Sequence, residues 1–315
     1  MRPREIIPGF YEVPGTYVDD FGYVRSHLVV ESDDVLVIDP GTAGDPGDTI
    51  VDSIKELGLE PRKNVVGILC THAHPDHVGG AWRLKRKVGA PVMVHDGDTD
   101  LLRDPGLFVR DRLLLGLAGR LAMKLERGPL KVNYKGLEPD RILKMGDRIP
   151  VGDLSLRVIH TGGHCAGHCV FFERTNKVLF SGDEVNNYAN DPRKFYVDLT
   201  GSFIAKTKAL ETLSKLGVEH LFSSHDIPHI LGDVALQFQE ARDSVRQFQD
   251  SIITQIRARE EADIDQLAYD MIQSRGVPLP DTLDALVPTT VRVALRSLEH
   301  AGLVSGPMDG VWKLA

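Results

Sequence analysis

Donor side chains crowd one short stretch of this chain, Thr71-His72-Ala73-His74-Pro75-Asp76-His77-Val78-Gly79-Gly80. His72 and His74 are two apart, so in extended backbone their imidazoles leave on the same side. Pro75 biases His74 toward that extended conformation and ends any helix before it. Asp76 and His77 follow at once and cannot share the geometry. A metal ion of the zinc type takes three or four protein ligands at about 2.0–2.2 Å. His72 and His74 can therefore serve one ion, and Asp76 with His77 a neighbouring one. Neither pair is complete alone. The remaining donors stand further along, in His160-Thr161-Gly162-Gly163-His164, in Ser181-Gly182-Asp183 and in Ser223-Ser224-His225-Asp226.

Each block has a strand to deliver it. The run Val65-Val66-Gly67-Ile68-Leu69-Cys70 reads as a buried strand ending at the first block. Val178-Leu179-Phe180 precedes Asp183, and Leu221-Phe222 precedes His225. Every donor thus lies at a strand-to-loop junction, where α/β sheets gather their sites. Convergence on one sheet edge is the expectation.

The H-x-H-x-D-H signature, followed in order by H-T-x-G-H, S-G-D and S-H, resembles the metallo-β-lactamase-fold hydrolase superfamily, over roughly residues 8–230. The resemblance implies an α/β chain folded as a four-layer αβ/βα sandwich with a two-metal site. Carried over by position, His72, His74 and His164 hold the first ion, Asp76, His77 and His225 the second, and Asp183 bridges them. Asp39, in Asp39-Pro40-Gly41, looks like the superfamily's D-x-G element, which orients a ligand from behind; a plain turn cap is its other reading.

Two such ions share a water and lower its pKa toward neutrality. A bridging hydroxide would then attack a carbonyl carbon or phosphorus, with Asp76 and Asp183 as the catalytic carboxylates. Zinc suits this imidazole-rich set, and iron, manganese or nickel would fit it too. The expected activity is hydrolysis of a small ester-type substrate: lactone, thioester or phosphoester. A nuclease or phosphodiesterase acting on RNA or DNA is the first alternative, and a di-iron redox protein the second. No flavodoxin-like segment accompanies the latter.

Composition narrows the classes. The chain has 315 residues, 42% hydrophobic and 26% charged, as in ordinary globular proteins. Its net charge of −8 argues against nonspecific polyanion binding. Three cysteines fit a reducing cytoplasm. No apolar run suits a bilayer span, and no apolar signal core follows Met1-Arg2-Pro3-Arg4-Glu5. Cytoplasmic localisation and no membrane partner are expected.

Two domains are expected, a catalytic one over 1–232 and a winged-helix-like one over 233–315. In the first, Tyr11-Glu12-Val13 reads as a short strand, and strands at 27–30 and 35–38 form a hairpin around residues 31–34. Helices are expected at 47–58 and 79–88. Residues 99–142 form an insertion rich in Phe108, Leu113, Leu114, Leu115 and Leu117 among arginines. Lid, oligomer contact and packing helix are its competing readings, and the lid is favoured. Phe108 and Leu114 would then line the substrate pocket, with Tyr188 and Tyr196 opposite. A homodimer remains compatible with the second reading.

From residue 233, a long helix to 259, shorter helical runs at 264–273, 282–286 and 289–300, and a hairpin at 302–314 carry the likeness to a winged helix. From Leu236 onward this part holds eight basic and twelve acidic residues, net −4. Because phosphate contacts supply most nonspecific nucleic-acid affinity, packing or dimerisation is the expected role.

Overall fold

The structure is a computed structural model that describes residues 3–18, 22–43, 46–112, 134–185, 201–225, 229–274, 281–307 and 310–315. Strand β1 (Arg4–Ile7), β2 (Phe10–Val18), β3 (Gly22–Glu31), β4 (Asp34–Ile38), β5 (Val65–Leu69), β6 (Val92–His95) and β7 (Arg141–Leu143) form a seven-stranded sheet in sequence order. It is antiparallel up to β4 and parallel from β4 to β7. A six-stranded sheet contains β8 (Arg148–Val151), β9 (Leu154–His160), β10 (Cys169–Glu173), β11 (Val178–Gly182), β12 (His220–Ser223) and β13 (Ile230–Leu231). Its β8–β11 run is antiparallel, and β12 lies parallel to β11.

Alternation within the strands makes the layers. Leu36, Ile38, Leu69 and Met93 of the first sheet join Leu156, Val158, Phe171, Phe180 and Phe222 of the second in one core between the sheets. Val35, Val37, Ile68, Val92 and Val94 turn the other way, onto Ile50 and Ile54 of the helix Pro46–Glu56 and Leu84 of the helix Ala81–Val88. On the far face, Val170, Phe172, Leu179 and Leu221 pack on Leu210 and Leu213 of the helix Phe203–Leu213 and on Val234 and Phe238. Strands apolar on both faces demand cover on both faces, and a helix layer on each side provides it. This is the four-layer α/β sandwich expected from the resemblance.

Several sequence-based boundaries shift. The hairpin turn contains only Ser32 and Asp33, at φ +50° and +70°, the backbone of a two-residue turn whose twist matches its strands. The strand expected at Tyr11-Glu12-Val13 runs to nine residues, with an irregularity between Val13 and Thr16. The two short helical runs expected at 282–286 and 289–300 are one helix, Asp281–His300, with Pro288 inside it. Proline normally interrupts a helix. Here Leu286, Val287, Val291, Ala294, Leu295 and Leu298 are all buried in this stretch, and burying them favours one continuous helix. The helices Val234–Arg259 and Ile264–Ser274 share a core with it, together with Trp312 and Phe203. A strand missed from the sequence, β14 (Glu261–Ala262), pairs with β16 (Trp312–Leu314), which also pairs with β15 (Val304–Ser305). Among the described residues no helix is long and apolar enough to cross a membrane.

Candidate metal centre

The donors of the four sequence blocks meet at one edge of the sandwich. Strands β4, β5, β9, β11 and β12 all end there, and the loops that follow carry Asp39, His72, His164, Asp183 and His225. The two halves are stitched together by backbone: Cys169 N–H donates to Thr71 O at 2.8 Å and Arg25 N–H to Ser224 O at 2.8 Å. The Arg25 guanidinium also donates to His225 O.

After β5 the backbone stays extended through His74 (φ −71°, ψ 152°) and then winds into the short helical turn Pro75–Val78, with proline in its first turn. The missing proline N–H costs nothing at that position. His72 and His74 therefore leave extended chain, whereas Asp76 and His77 leave a helical turn, which is why the two pairs point apart. Gly79 and Gly80 close the turn because there is no room for a side chain. A Cβ on Gly79 would stand 2.3 Å from Ala43 N, and one on Gly80 would stand 2.4 Å from Pro40 O.

Three donor trios form: His72, His74 and His164; Asp76, His77 and His225; and His72, His77 and Asp183. In each, the ligand atoms lie within 4.8 Å of one another. Asp183 Oδ2 is 3.4 Å from His77 Nε2, 3.5 Å from His164 Nε2 and 3.2 Å from His225 Nε2, so it reaches donors of both sets. His225 Nε2 also lies 3.2 Å from Asp76 Oδ2. All seven side chains are buried. His72 Nε2, His74 Nε2, His77 Nε2, His225 Nδ1 and Asp183 Oδ1 are buried without a hydrogen-bond partner among the described residues. Each such atom costs about 1–3 kcal/mol if nothing ever meets it. Five in one cluster, all on side chains that make good ligands, fit a bound cation.

A set of polar side chains holds these donors in place. Asp39, wholly buried at φ +53°, accepts from Thr71 N at 2.7 Å and Thr71 Oγ1 at 2.8 Å, and its Oδ2 lies 3.0 Å from His77 Nδ1. Thr71 Oγ1 in turn lies 3.0 Å from His72 Nδ1. Both rings thus engage their Nδ1 behind the site and turn Nε2 inward. His168 is buried and accepts from Asp183 N at 3.1 Å through Nε2. A Cβ on Gly182 would meet that nitrogen at 2.7 Å.

Two carboxylates escaped sequence reasoning. Asp98 accepts from Ala73 N at 2.9 Å, Gly167 N at 2.9 Å and Cys165 Sγ at 3.3 Å, tying the first metal loop to the loop that holds His164. Glu184 accepts from His164 N at 3.2 Å and Thr161 Oγ1 at 3.0 Å. Neither belongs to a motif with diagnostic spacing. Their only sequence signal is an acidic residue beside a recognised block or just after β6.

Charge in the cluster is coupled. Burial, then the neighbouring imidazoles, holds His72 and His74 well below the usual histidine value, so both are neutral, the form that binds metal. Burial alone would raise Asp76, but His77 and His225 beside it outweigh burial and bring it down to about 2. Asp183 is likewise pulled well below the carboxylate range, against burial, by His225 and His77. Burial opposes protonation of His225, yet Asp183 and Asp76 push it up to about 10.

The other expected site residues divide. Phe108 is buried and its ring centroid lies 5.0 Å from that of His74, in a turn of wide, π-type helix at Phe108–Arg112. Leu114, Tyr188 and Tyr196 lie outside the described residues. His95 stacks on His160 at 3.9 Å between ring centroids, and His220 pairs with His229 at 3.0 Å, so neither His95 nor His229 joins the donor trios. The three cysteines are free and buried.

Residues 19–225 match the family described as the metallo-beta-lactamase superfamily. Among curated relatives, a hydroxyacylglutathione hydrolase from Haemophilus influenzae is 30% identical over 148 residues, 47% of this chain and 59% of that protein. An acyl-coenzyme A thioesterase from Gallus gallus is 27% identical over 226 residues, 69% of this chain and 77% of that one. Relatives from Aquifex aeolicus and Mycobacterium bovis, both 31% identical over 157 residues, are matched over only 60% and 65% of their own lengths. A metallo-beta-lactamase family protein from Thermus thermophilus superposes with a TM-score of 0.74 at 21% identity, over 99% of this chain and 100% of its own; at that identity the likeness concerns the fold alone. With its donor blocks inside a family match that spans well over half its length, the chain belongs to the metallo-beta-lactamase superfamily.

Proposed function

We propose that this protein is a dinuclear metal-dependent hydrolase of small acyl substrates, thioesters foremost. The observation that carries the proposal is the buried convergence of seven donors at one sheet edge, with an unmet polar atom on five of them among the described residues. Two of the relatives bear thioester-hydrolase names, which favours thioesters over lactones and phosphoesters. His72, His74 and His164 would hold one ion, Asp76, His77 and His225 the other, and Asp183 both; zinc is the favoured metal, with iron, manganese or nickel compatible. When bound, such ions supply a water of near-neutral pKa and Lewis-acid polarisation of the electrophile.

The chain's own residues do the rest. Asp39 and Thr71 orient the His77 and His72 rings, and His168 holds the backbone of Asp183. Asp76, ionised in this setting, offers Oδ2 to take the proton released as water attacks. Phe108 contributes an apolar wall beside His74. Tyr188, Tyr196 and Leu114 are proposed for the remaining walls. The acidic balance of residues 236–315 speaks against nucleic acid as substrate. Residues 233–315 are proposed to act as a winged-helix-like packing or dimerisation unit.

The test combines elemental analysis with a substrate panel: S-lactoylglutathione, acetyl-coenzyme A, an acyl homoserine lactone, bis(p-nitrophenyl) phosphate and single-stranded RNA. Thioester turnover that disappears in His72→Ala and on chelation is the expected result. Turnover confined to the phosphodiester or RNA would replace the proposal with the nuclease reading. Two irons with no hydrolysis would favour the redox reading.

A further inference from the structure

The donor rings are not all held in the same way. His72 and His77 are steadied from behind, where Thr71 Oγ1 and Asp39 Oδ2 lie 3.0 Å from their Nδ1 atoms. His225 presents Nε2 to Asp76 and Asp183, at 3.2 Å from each. Its Nδ1 is buried with no hydrogen-bond partner among the described residues. An imidazole without a bond at its second nitrogen takes its place from the backbone that carries it.

That backbone is held by Arg25. Strand β2 is irregular between Val13 and Thr16, whose partners on β3 are Ser26 and Val24, so Arg25 stands opposite the irregularity. The stretch contains Pro14 and Gly15, which strands accept at such places. An irregularity of this kind disrupts the ladder and re-aims side chains, often next to active sites. Here the Arg25 N–H donates to Ser224 O at 2.8 Å, across to the other sheet. The guanidinium goes one residue further and donates to the carbonyl of His225. Its Nε lies 3.5 Å from Glu12 Oε1, and Glu12 Oε2 accepts from Arg4 at 3.2 Å. The Arg25 and Glu12 side chains are each only 16% exposed, so salt screens this pair weakly. A planar guanidinium can serve a carboxylate and a carbonyl at once. A lysine ammonium on its flexible stem has no such fixed geometry.

We infer that Arg25 is the positioning residue of His225: clamped by Glu12, its guanidinium holds the His225 carbonyl and thereby sets the ring against Asp76 and Asp183. The inference rests on the dinuclear reading for the ion that His225 meets, but not for the placement of the ring itself.

The test compares two variants with the parent. Arg25→Lys keeps the charge and loses the fork; Glu12→Gln loosens the clamp at a partly exposed site. Competitive zinc titration gives the stepwise affinities. Ring signals of isotope-labelled histidine in the metal-free protein, with His225 assigned through His225→Ala, report the ring directly. Outer partners of metal ligands are worth about 10–100-fold in metal affinity. Arg25→Lys is expected to weaken by that factor the binding step that His225→Ala weakens, and to leave the other step unchanged. Glu12→Gln should weaken the same step by a smaller factor. The His225 ring signals should move or split in Arg25→Lys. Equal weakening of both steps, which a merely structural role would give, overturns the inference, as do unchanged affinities or unmoved ring signals. If Arg25→Lys does not fold, Glu12→Gln decides by the same two readouts. If the parent takes up no second ion, the dinuclear reading fails by itself, and the ring signals alone decide the role of Arg25.

Discussion

Asp39 Oδ2 lies 3.0 Å from His77 Nδ1, with both side chains wholly buried. The same carboxylate accepts from the backbone and the hydroxyl of Thr71, and Ser224 Oγ reaches it at 3.3 Å. One side chain at the end of β4 therefore joins the loop after β5 to the loop after β12. It fixes which nitrogen of His77 faces the site.

Replacing Asp39 by Asn tests that relationship. Asn tolerates the left-handed backbone at φ +53°, so the substitution isolates the charge. Outer partners of metal ligands are typically worth about 10–100-fold in metal affinity, and a loss of that order in the weaker of two binding steps is expected from competitive metal titration. Unchanged affinity would reduce Asp39 to a turn cap.

Metal stoichiometry should reach two per chain after loading. Asp183→Asn replaces a carboxylate that reaches both donor sets with one neutral oxygen, so occupancy and turnover should fall together while the circular-dichroism spectrum is retained. Occupancy that never exceeds one in the parent, or full occupancy with unchanged turnover in the variant, would remove the dinuclear assignment.

Stability should decline on acidification partly through His27. This ring is buried between Phe180 and Phe222, at 5.4 and 5.5 Å between centroids. Burial, then the nearby Arg25, brings it from 6.5 down to about 3. Between those values the unfolded chain binds a proton that the folded chain refuses, so this contribution is present above 6.5 and is lost as pH falls toward 3. Its slope is at most about 1.4 kcal/mol per pH unit. In urea titrations, His27→Leu should lose stability less steeply than the parent between pH 6.5 and 4. Parallel pH curves would mean that His27 is protonated in the fold.

Phe108 should govern substrate range and leave metal binding alone. Phe108→Leu keeps an apolar side chain in a buried site and should cost no more than about 1–3 kcal/mol. Relative kcat/KM values across acyl chain lengths are expected to change, with metal content constant. Identical chain-length profiles would sink the pocket-wall role.

The chemistry of this chain was legible where the physics is local. The spacing of His72, His74, Asp76 and His77 announces a metal loop because side-chain direction follows from backbone geometry over a few residues. The apolar run of Val35, Leu36, Val37 and Ile38 beside the turn at 31–34 likewise announces a strand of a hairpin. What the sequence could not decide lies in contacts between distant segments. Asp98 bonds to Ala73 and to Gly167, 25 and 69 residues away. His168 takes the N–H of Asp183. The Tyr134 hydroxyl is buried with no partner among the described residues, and Pro288 sits inside a helix where local rules place a break. These outcomes depend on which surfaces the packed layers bring together, because buried polar groups and apolar faces are matched only after the sheets close.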